Sequence, residues 1–306
     1  MDDVTLLHEL EPEAARLLDR HLNNVEEWFP HDLVPWERAQ SLVDDGFTYG
    51  VDSVPEGVRS ALFVNLLTED NLPWYSRTIS RVFSSDSAWG EWVHRWTAEE
   101  GRHAIAMRDY ITVSGLLDPV ELERGRMIQV STAVVPEPPT AADGMCYVAI
   151  QELATRISHR NTGKYLNDPV GYNVMMRLST DENHHHLFYR DLVSKLLEMD
   201  PSTAVQALAR QIINFAMPGV GIPHFEHHAK NIAKSEIYDF VIHYERILAP
   251  LLQRHWLIEN ISGLNAAAEQ ARDSLMNHMA RLGKIVTRQN ERRAATSDSE
   301  AAAGVN

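Results

Sequence analysis

Residues 96–110 read WTAEEGRHAIAMRDY and residues 179–192 read STDENHHHLFYRDL. Glu100 and His103 stand three apart in the first stretch, Glu182 and His185 three apart in the second, so on a helix each pair shares one face. The spacing alone is weak evidence. Composition supplies about one Glu-x-x-His by chance, and a third copy, Glu91/His94, is present. The decisive feature is an upstream glutamate at nearly the same distance from each motif: Glu69 precedes Glu100 by 31 residues and Glu152 precedes Glu182 by 30. Two helices of that length joined by a turn run antiparallel, which brings residues about 30 positions apart to one level of a bundle. The chain therefore reads as two copies of one half-site on four helices.

Around these stretches apolar residues recur at three- and four-residue spacings and strand-like alternation is scarce, so the predicted fold class is all-α. Helices are expected at about 5–23, 55–83, from 87 to near Gly115, from Pro119, at 145–166, 170–198, from Pro201, at 235–258 and at 266–288. Asp118-Pro119 and Asp200-Pro201 mark helix starts, because proline at the first helical position loses nothing by lacking an N–H. The segments EEWFPHDLVPWERA, VVPEPPTAADG and MPGVGIPHFE read as breaks. Residues 1–290 are expected to form one domain, and the polar residues 291–306, without an apolar stripe, a disordered tail.

The composition narrows the function. In 306 residues, 43 Asp+Glu outnumber 28 Lys+Arg, a net charge of -15, the wrong sign for nucleic acid or anionic lipid as a partner. One cysteine, Cys146, excludes an internal disulfide framework and a thiolate zinc site. No apolar run reaches the roughly 18 residues of a membrane span, and the acidic N-terminus is no export signal, so a cytoplasmic protein is expected.

Four carboxylates converging inside a bundle repel one another and are costly to desolvate unless cations neutralise them. One Glu from each of two helices plus Glu-x-x-His from each of the other two is the di-metal carboxylate arrangement of ferritin-like bundles, so the core is expected to be a ferritin-like four-helix bundle with flanking helices. The expected ligands are Glu69, Glu100, His103, Glu152, Glu182 and His185. An oxygen-rich set with two imidazoles suits iron or manganese better than zinc, and redox chemistry selects two iron ions (Fe2+). Glu91 and His94 fall on the opposite face from Glu100 and read as a surface pair. Within His184-His185-His186, both His185 and His186 lie on the face of Glu182; symmetry with His103 selects His185.

At these residues the sequence resembles the soluble acyl-acyl carrier protein desaturases of plants and actinobacteria. The matching segments are NLLTEDNLPWY, WTAEEGRHAIAMRDY, IQELATRISHRNTGK and STDENHHHLFYRDL, within a likeness spanning about residues 6–290. The family signatures EENRH and DExRH stand here as EEGRH and DENHH, with Gly101 and His184 as departures and a shorter break at VVPEPPTAADG. The resemblance implies the same six metal ligands. It also implies that Thr155 lies on the oxygen side and that Trp28, His103 and Asp181 form an electron relay from the surface. The implied reaction is the O2-dependent conversion of a saturated acyl chain on acyl carrier protein to a cis alkene. A ferredoxin-type donor supplies electrons to a homodimer.

An acidic carrier protein needs a local basic patch on a chain of this charge. RISHRNTGK, with Arg156, His159, Arg160 and Lys164, is the densest such stretch near the motifs. Met145–Ile150 and Ile212–Met217 are candidates to line an acyl channel, or ordinary core. Three other functions compete. A different di-iron oxidase such as a ribonucleotide reductase subunit would have Asp first and a redox Tyr nearby, whereas Glu69 comes first and Tyr75 is off its face. A ferritin-type store would be shorter, and a non-catalytic paralogue that binds acyl carrier protein would not need intact ligands.

Overall fold

The computed structural model describes residues 2–39, 54–219 and 221–303, and among them no strand occurs. The helices are α1 (Asp3–Asn24), α2 (Pro30–Leu33), α3 (Glu56–Glu69), α4 (Leu72–Phe83), α5 (Ser87–Val113), α6 (Pro119–Thr132), α7 (Ala141–Tyr165), α8 (Pro169–Met199), α9 (Pro201–Ile213) and α10 (Phe225–Lys234). Next, α11 (Phe240–His243) runs into π-helical turns at Tyr244–Leu248 and Pro250–His255, and α12 (Ala266–Ala303) closes the chain. None of the described helices is long and apolar enough to cross a membrane.

Helix starts follow local chemistry. The carboxylates of Asp118, Asp168 and Asp200 accept from the backbone N–H of Val120, Val170 and Thr203, each with proline next in sequence. Thr140 caps α7 in the same way through Asp143 N. Between α7 and α8, Asn167 takes the left-handed conformation (φ 51°), and the short turn makes these two long helices an antiparallel pair.

Four differences from the sequence reading have physical reasons. The single helix expected over 55–83 is two, because Pro73 lacks an N–H and its ring conflicts with the carbonyl of Glu69, so α3 stops there. Helix α10 arises inside a stretch where Gly and Pro hid its amphipathic FEHHAKNIAK. The helix expected from 235 begins at Phe240, capped by Asp239, and widens into π turns around Pro250. Finally, α12 passes 288 and the expected boundary at 290 and reaches Ala303, since its Ala, Glu, Arg and Gln favour helix and no Gly or Pro intervenes after Gly283.

Helix α7 packs along α8, α3 lies against α5 and α7, and α5 against α8, which makes the four-helix core; α1 crosses α5 and α8 from outside. The apolar interior falls into two clusters. One gathers α1, α9 and the π turns around Trp92, Phe188 and Tyr189; the other gathers α3 with the second half of α5 and the first half of α8 around Leu62, Met107 and Tyr110. Trp92 and Phe188 stack with centroids 3.6 Å apart. Burying each such side chain contributes about 1.5–3 kcal/mol, enough for the two clusters to hold a buried polar layer between them.

Candidate metal centre

That polar layer contains Glu69, Glu100, His103, Glu152, Glu182 and His185, all buried. Glu69 is the last residue of α3, Glu100 and His103 lie mid-α5, Glu152 mid-α7, and Glu182 and His185 mid-α8. They form two overlapping groups: Glu69, Glu100, His103 and Glu182, and Glu100, Glu152, Glu182 and His185, each with ligand atoms within 4.8 Å of one another. Glu100 and Glu182 belong to both. His103 Nδ1 lies 3.3 Å from Glu182 Oε1 and 3.7 Å from oxygens of both Glu69 and Glu100. His185 Nδ1 lies 2.8 Å from Glu100 Oε1, 3.7 Å from Glu182 and 3.8 Å from Glu152.

The fit to metal rests on atoms left without partners. Both oxygens of Glu182, Oε1 of Glu100 and the Nδ1 atoms of His103 and His185 are buried without a hydrogen bond, and they converge. A buried polar group in that condition costs about 1–3 kcal/mol, more if charged, and a cation placed among them satisfies them together. The electrostatics agree. Burial raises Glu152 well above the usual carboxylate range, and the adjacent Glu182 adds to it. Burial also opposes ionisation of Glu182, but the closeness of Glu152 and of the His103, His159 and His185 rings holds it well below. His103 and His185 are raised well above their usual value, against burial, by the carboxylates around them.

Outside the cluster, Asp181 lies between Trp28 and His103. Its Oδ2 accepts from Trp28 Nε1 at 2.8 Å and faces His103 Nε2 at 3.4 Å, while Arg177 (2.8 Å) and Arg102 (3.1 Å) hold it. Burial would raise its carboxyl, but His103 first and Arg177 next outweigh this and keep it far below the usual range. The Trp28 and His103 rings are nearly parallel with centroids 6.4 Å apart, and Arg102 lies over the indole at 4.6 Å.

Thr155 lies one turn after Glu152, accepting from Gln151 Nε2 at 2.8 Å. Two cavities have it in their walls. A narrow apolar one of about 80 Å³ is lined by Leu72, Tyr75, Ile79, Val82, Phe83 and Val148 and reaches Glu69, Glu100, Glu152 and Glu182. A wider one of about 410 Å³ is lined by Phe215, Met217, Phe225, Ile232, Tyr238 and His243. Both include Thr68, Glu69, Thr155 and Pro218. Of the two stretches considered as channel walls, Tyr147 and Val148 line the narrow cavity and Phe215 and Met217 the wide one; Met145, Cys146, Ala149, Ile150 and Ile212 are core. Tyr75 does share a cavity with Glu69, because the break before α4 redirects the chain; burial raises its phenol to about 12.

The basic stretch divides. Arg160 and Lys164 are exposed and Arg156 half-buried, but His159 belongs to the interior. Its Nε2 lies 3.0 Å from Glu69 Oε1, and although burial opposes the proton, Glu182 and Glu69 raise the ring to about 9. His159 stands seven residues after Glu152, two turns along the same face, and that signal could have removed it from a surface patch. Glu99, missed in the sequence, is also buried, 2.9 Å from His185 Nε2. Glu91 and His94 are exposed, as a surface pair requires, and His186 turns away to the Ala149 carbonyl at 2.7 Å.

Comparison with known proteins matches this architecture to a family. The fatty acid desaturase family model matches residues 2–304. DesA1 of Mycobacterium tuberculosis (strain H37Rv), which carries the name of an acyl-ACP desaturase, is 40% identical over 289 residues, covering 90% of this chain and 84% of its own. The stearoyl-ACP 9-desaturase 6 of Arabidopsis thaliana, a chloroplastic protein, is 28% identical over 326 residues, covering 94% of this chain and 81% of its own. The X-ray structure of DesA2 from M. tuberculosis H37Rv has the same fold, with a TM-score of 0.68 at 24% identity over 87% of this chain and 99% of that one. A buried carboxylate and histidine cluster in an all-helical bundle, a family match over nearly the whole length and these relatives together identify the chain as a member of the fatty acid desaturase family, alongside the acyl-ACP desaturases.

Proposed function

We infer that this protein is an oxidoreductase that introduces a double bond into a saturated acyl chain carried on acyl carrier protein. The reaction removes two hydrogens from adjacent methylenes; with two electrons and two protons supplied from outside, O2 leaves as two waters. The observation that carries the reading is an apolar cavity whose wall is interrupted by Glu69, Glu100, Glu152 and Glu182.

Glu69, Glu100, His103, Glu152, Glu182 and His185 would hold two iron ions, and Glu100 and Glu182 belong to both ligand groups. Bound iron supplies the redox chemistry needed to activate O2 against an unactivated C–H bond. The protein holds and orients. Asp181 fixes the His103 ring by accepting from Nε2, which would leave Nδ1 available to hold a metal. Trp28, 7% exposed, links that pair to the surface and is the proposed entry point for electrons from a ferredoxin-type donor. Thr155, in the wall of both cavities, offers a hydroxyl on the oxygen side.

The acyl chain would run through both cavities, its methyl end in the narrow one and its thioester end in the wider one. Arg156, Arg160 and Lys164 lie on the stretch of α7 that also contributes Thr155 and Ser158 to the wide cavity, which supports them as the receiving surface for an acidic carrier. The working unit is taken to be a cytoplasmic homodimer, checked by sedimentation velocity. The test of function is to supply the iron-loaded protein with a reduced ferredoxin system, O2 and carrier protein bearing saturated chains, then weigh the products. A loss of two mass units that requires O2 is expected. If every chain is returned unchanged, the reading fails.

A further inference from the structure

The two half-sites are held from outside by the same device, repeated across the bundle's internal symmetry. Asp181, immediately before Glu182 on α8, faces Nε2 of His103 on α5 at 3.4 Å. Glu99, immediately before Glu100 on α5, faces Nε2 of His185 on α8 at 2.9 Å. Each helix thus grips the other's imidazole. Behind Asp181 stand Trp28 and Arg177; behind Glu99 stand His21 (Nε2 to Oε2, 3.0 Å) and Arg95 (Nε to Oε1, 2.6 Å). Arg102 spans the two, 3.1 Å from Asp181 and 3.7 Å from Glu99. His21, Glu99 and His185 are all buried.

We propose that Glu99 and His21 are the positioning residues of the second metal position, doing for His185 what Asp181 and Trp28 do for His103. The chemistry of the contacts fixes the arrangement. An ionised carboxylate only accepts, so the two imidazoles that meet Glu99 Oε2 both carry hydrogen on Nε2. For His185 this reserves Nδ1, which lies buried without a hydrogen bond among Glu100, Glu152 and Glu182, as the atom that would face a metal once one replaces its proton. His21 sits on α1, outside the four-helix core. Its ring meets Trp92 edge-on at 5.0 Å and stacks near His185 at 6.0 Å, so it is held in place by packing as well as by the carboxylate. Through this pair, α1 reaches the metal centre. The two positions also end differently, one in an indole and the other in an imidazole, so two metals bound there are inequivalent.

The inference rests on the di-iron reading and is tested by metal binding rather than turnover. Wild-type protein and variants are loaded with 57Fe(II), and iron-binding isotherms and Mössbauer spectra are recorded without acyl substrate. Wild type is expected to bind two irons with two distinguishable signals. Glu99→Ala weakens one position by about 10–100-fold and shifts one signal, whereas Asp181→Ala shifts the other. Glu99→Gln, which retains a carbonyl oxygen for His185, restores most of the lost affinity. His21→Leu, which leaves Glu99 in place, moves the same signal as Glu99→Ala by a smaller amount and keeps the question answerable if Glu99→Ala does not fold. Two irons bound at wild-type affinity with unchanged signals in Glu99→Ala or His21→Leu overturn the assignment, as does one signal answering to both carboxylates. A wild-type protein that binds no iron sinks the di-iron reading itself, a different result from these.

Discussion

At the scale of single residues, the centre depends on an unequal division of labour among four glutamates. Glu100 and Glu182 each belong to both ligand groups, while Glu69 and Glu152 each belong to one. Replacing a shared glutamate therefore damages both positions. Glu182→Ala or Glu100→Ala is expected to lower bound iron from two per chain to near none, and Glu69→Ala or Glu152→Ala to about one, read by elemental analysis after gel filtration. Retention of two irons in Glu182→Ala would contradict the ligand set. The six ligand candidates were legible because two motifs and two upstream glutamates repeat at matched spacing. Glu99 was legible in principle, since it precedes Glu100 as Asp181 precedes Glu182. His21 was not: nothing in MDDVTLLHELEPEAARLLDRHLNN distinguishes a histidine facing the bundle from one facing water.

At the scale of elements, short-range chemistry decides where helices begin and end, and two of these ends bear on the site. Helix α3 stops at Glu69 because of Pro73, so this ligand candidate sits at a helix terminus, in the wall of both cavities. Helix α8 starts at Asp168, whose carboxylate caps Val170, accepts from Tyr110 at 2.9 Å and pairs with Arg38 at 2.7 Å. The Arg38 hydrogen bond, outweighing burial, lowers Asp168 to about 2. A depressed carboxyl contributes stability that is complete above its unfolded value near 4 and is lost as pH falls through about 2. Asp168→Asn is expected to cost about 1–2 kcal/mol in urea unfolding at pH 7, with the difference from wild type shrinking below pH 4; an equal difference at pH 7 and pH 3 would refute the pairing. Helix α7 supplies the other test. A Cβ at Gly144 would lie 2.9 Å from Val82 Cγ1 and 3.2 Å from Phe83 Cζ, side chains of the narrow cavity. Gly144→Val should shift desaturation toward shorter chains, leave iron content unchanged and destabilise by about 1–3 kcal/mol, measured by product analysis and thermal melts. An unaltered chain-length profile would remove the narrow cavity from the acyl path.

At the scale of the whole molecule, two apolar clusters clamp a layer of buried carboxylates and imidazoles that could not remain there unpaired. A metal that binds only the folded chain stabilises it by mass action, about 2.7 kcal/mol at a hundred times its Kd. Chelation is therefore expected to lower Tm by roughly 5 °C or more. Differential scanning calorimetry with and without added Fe(II) checks this, and coincident melts would contradict a metal held by all four helices. Helical periodicity, Asp-Pro starts and two repeated half-sites are local or nearly local patterns. They determined the all-α class, most helix boundaries and the six ligand candidates. What only the tertiary structure decided is which side chains from distant elements meet: His159 on Glu69, His21 on Glu99, and the walls of two cavities that share Thr155. The reason is physical. A helix repeats its face every few residues, so sequence reports which residues share a face, whereas the partner that face meets depends on packing across the whole interior.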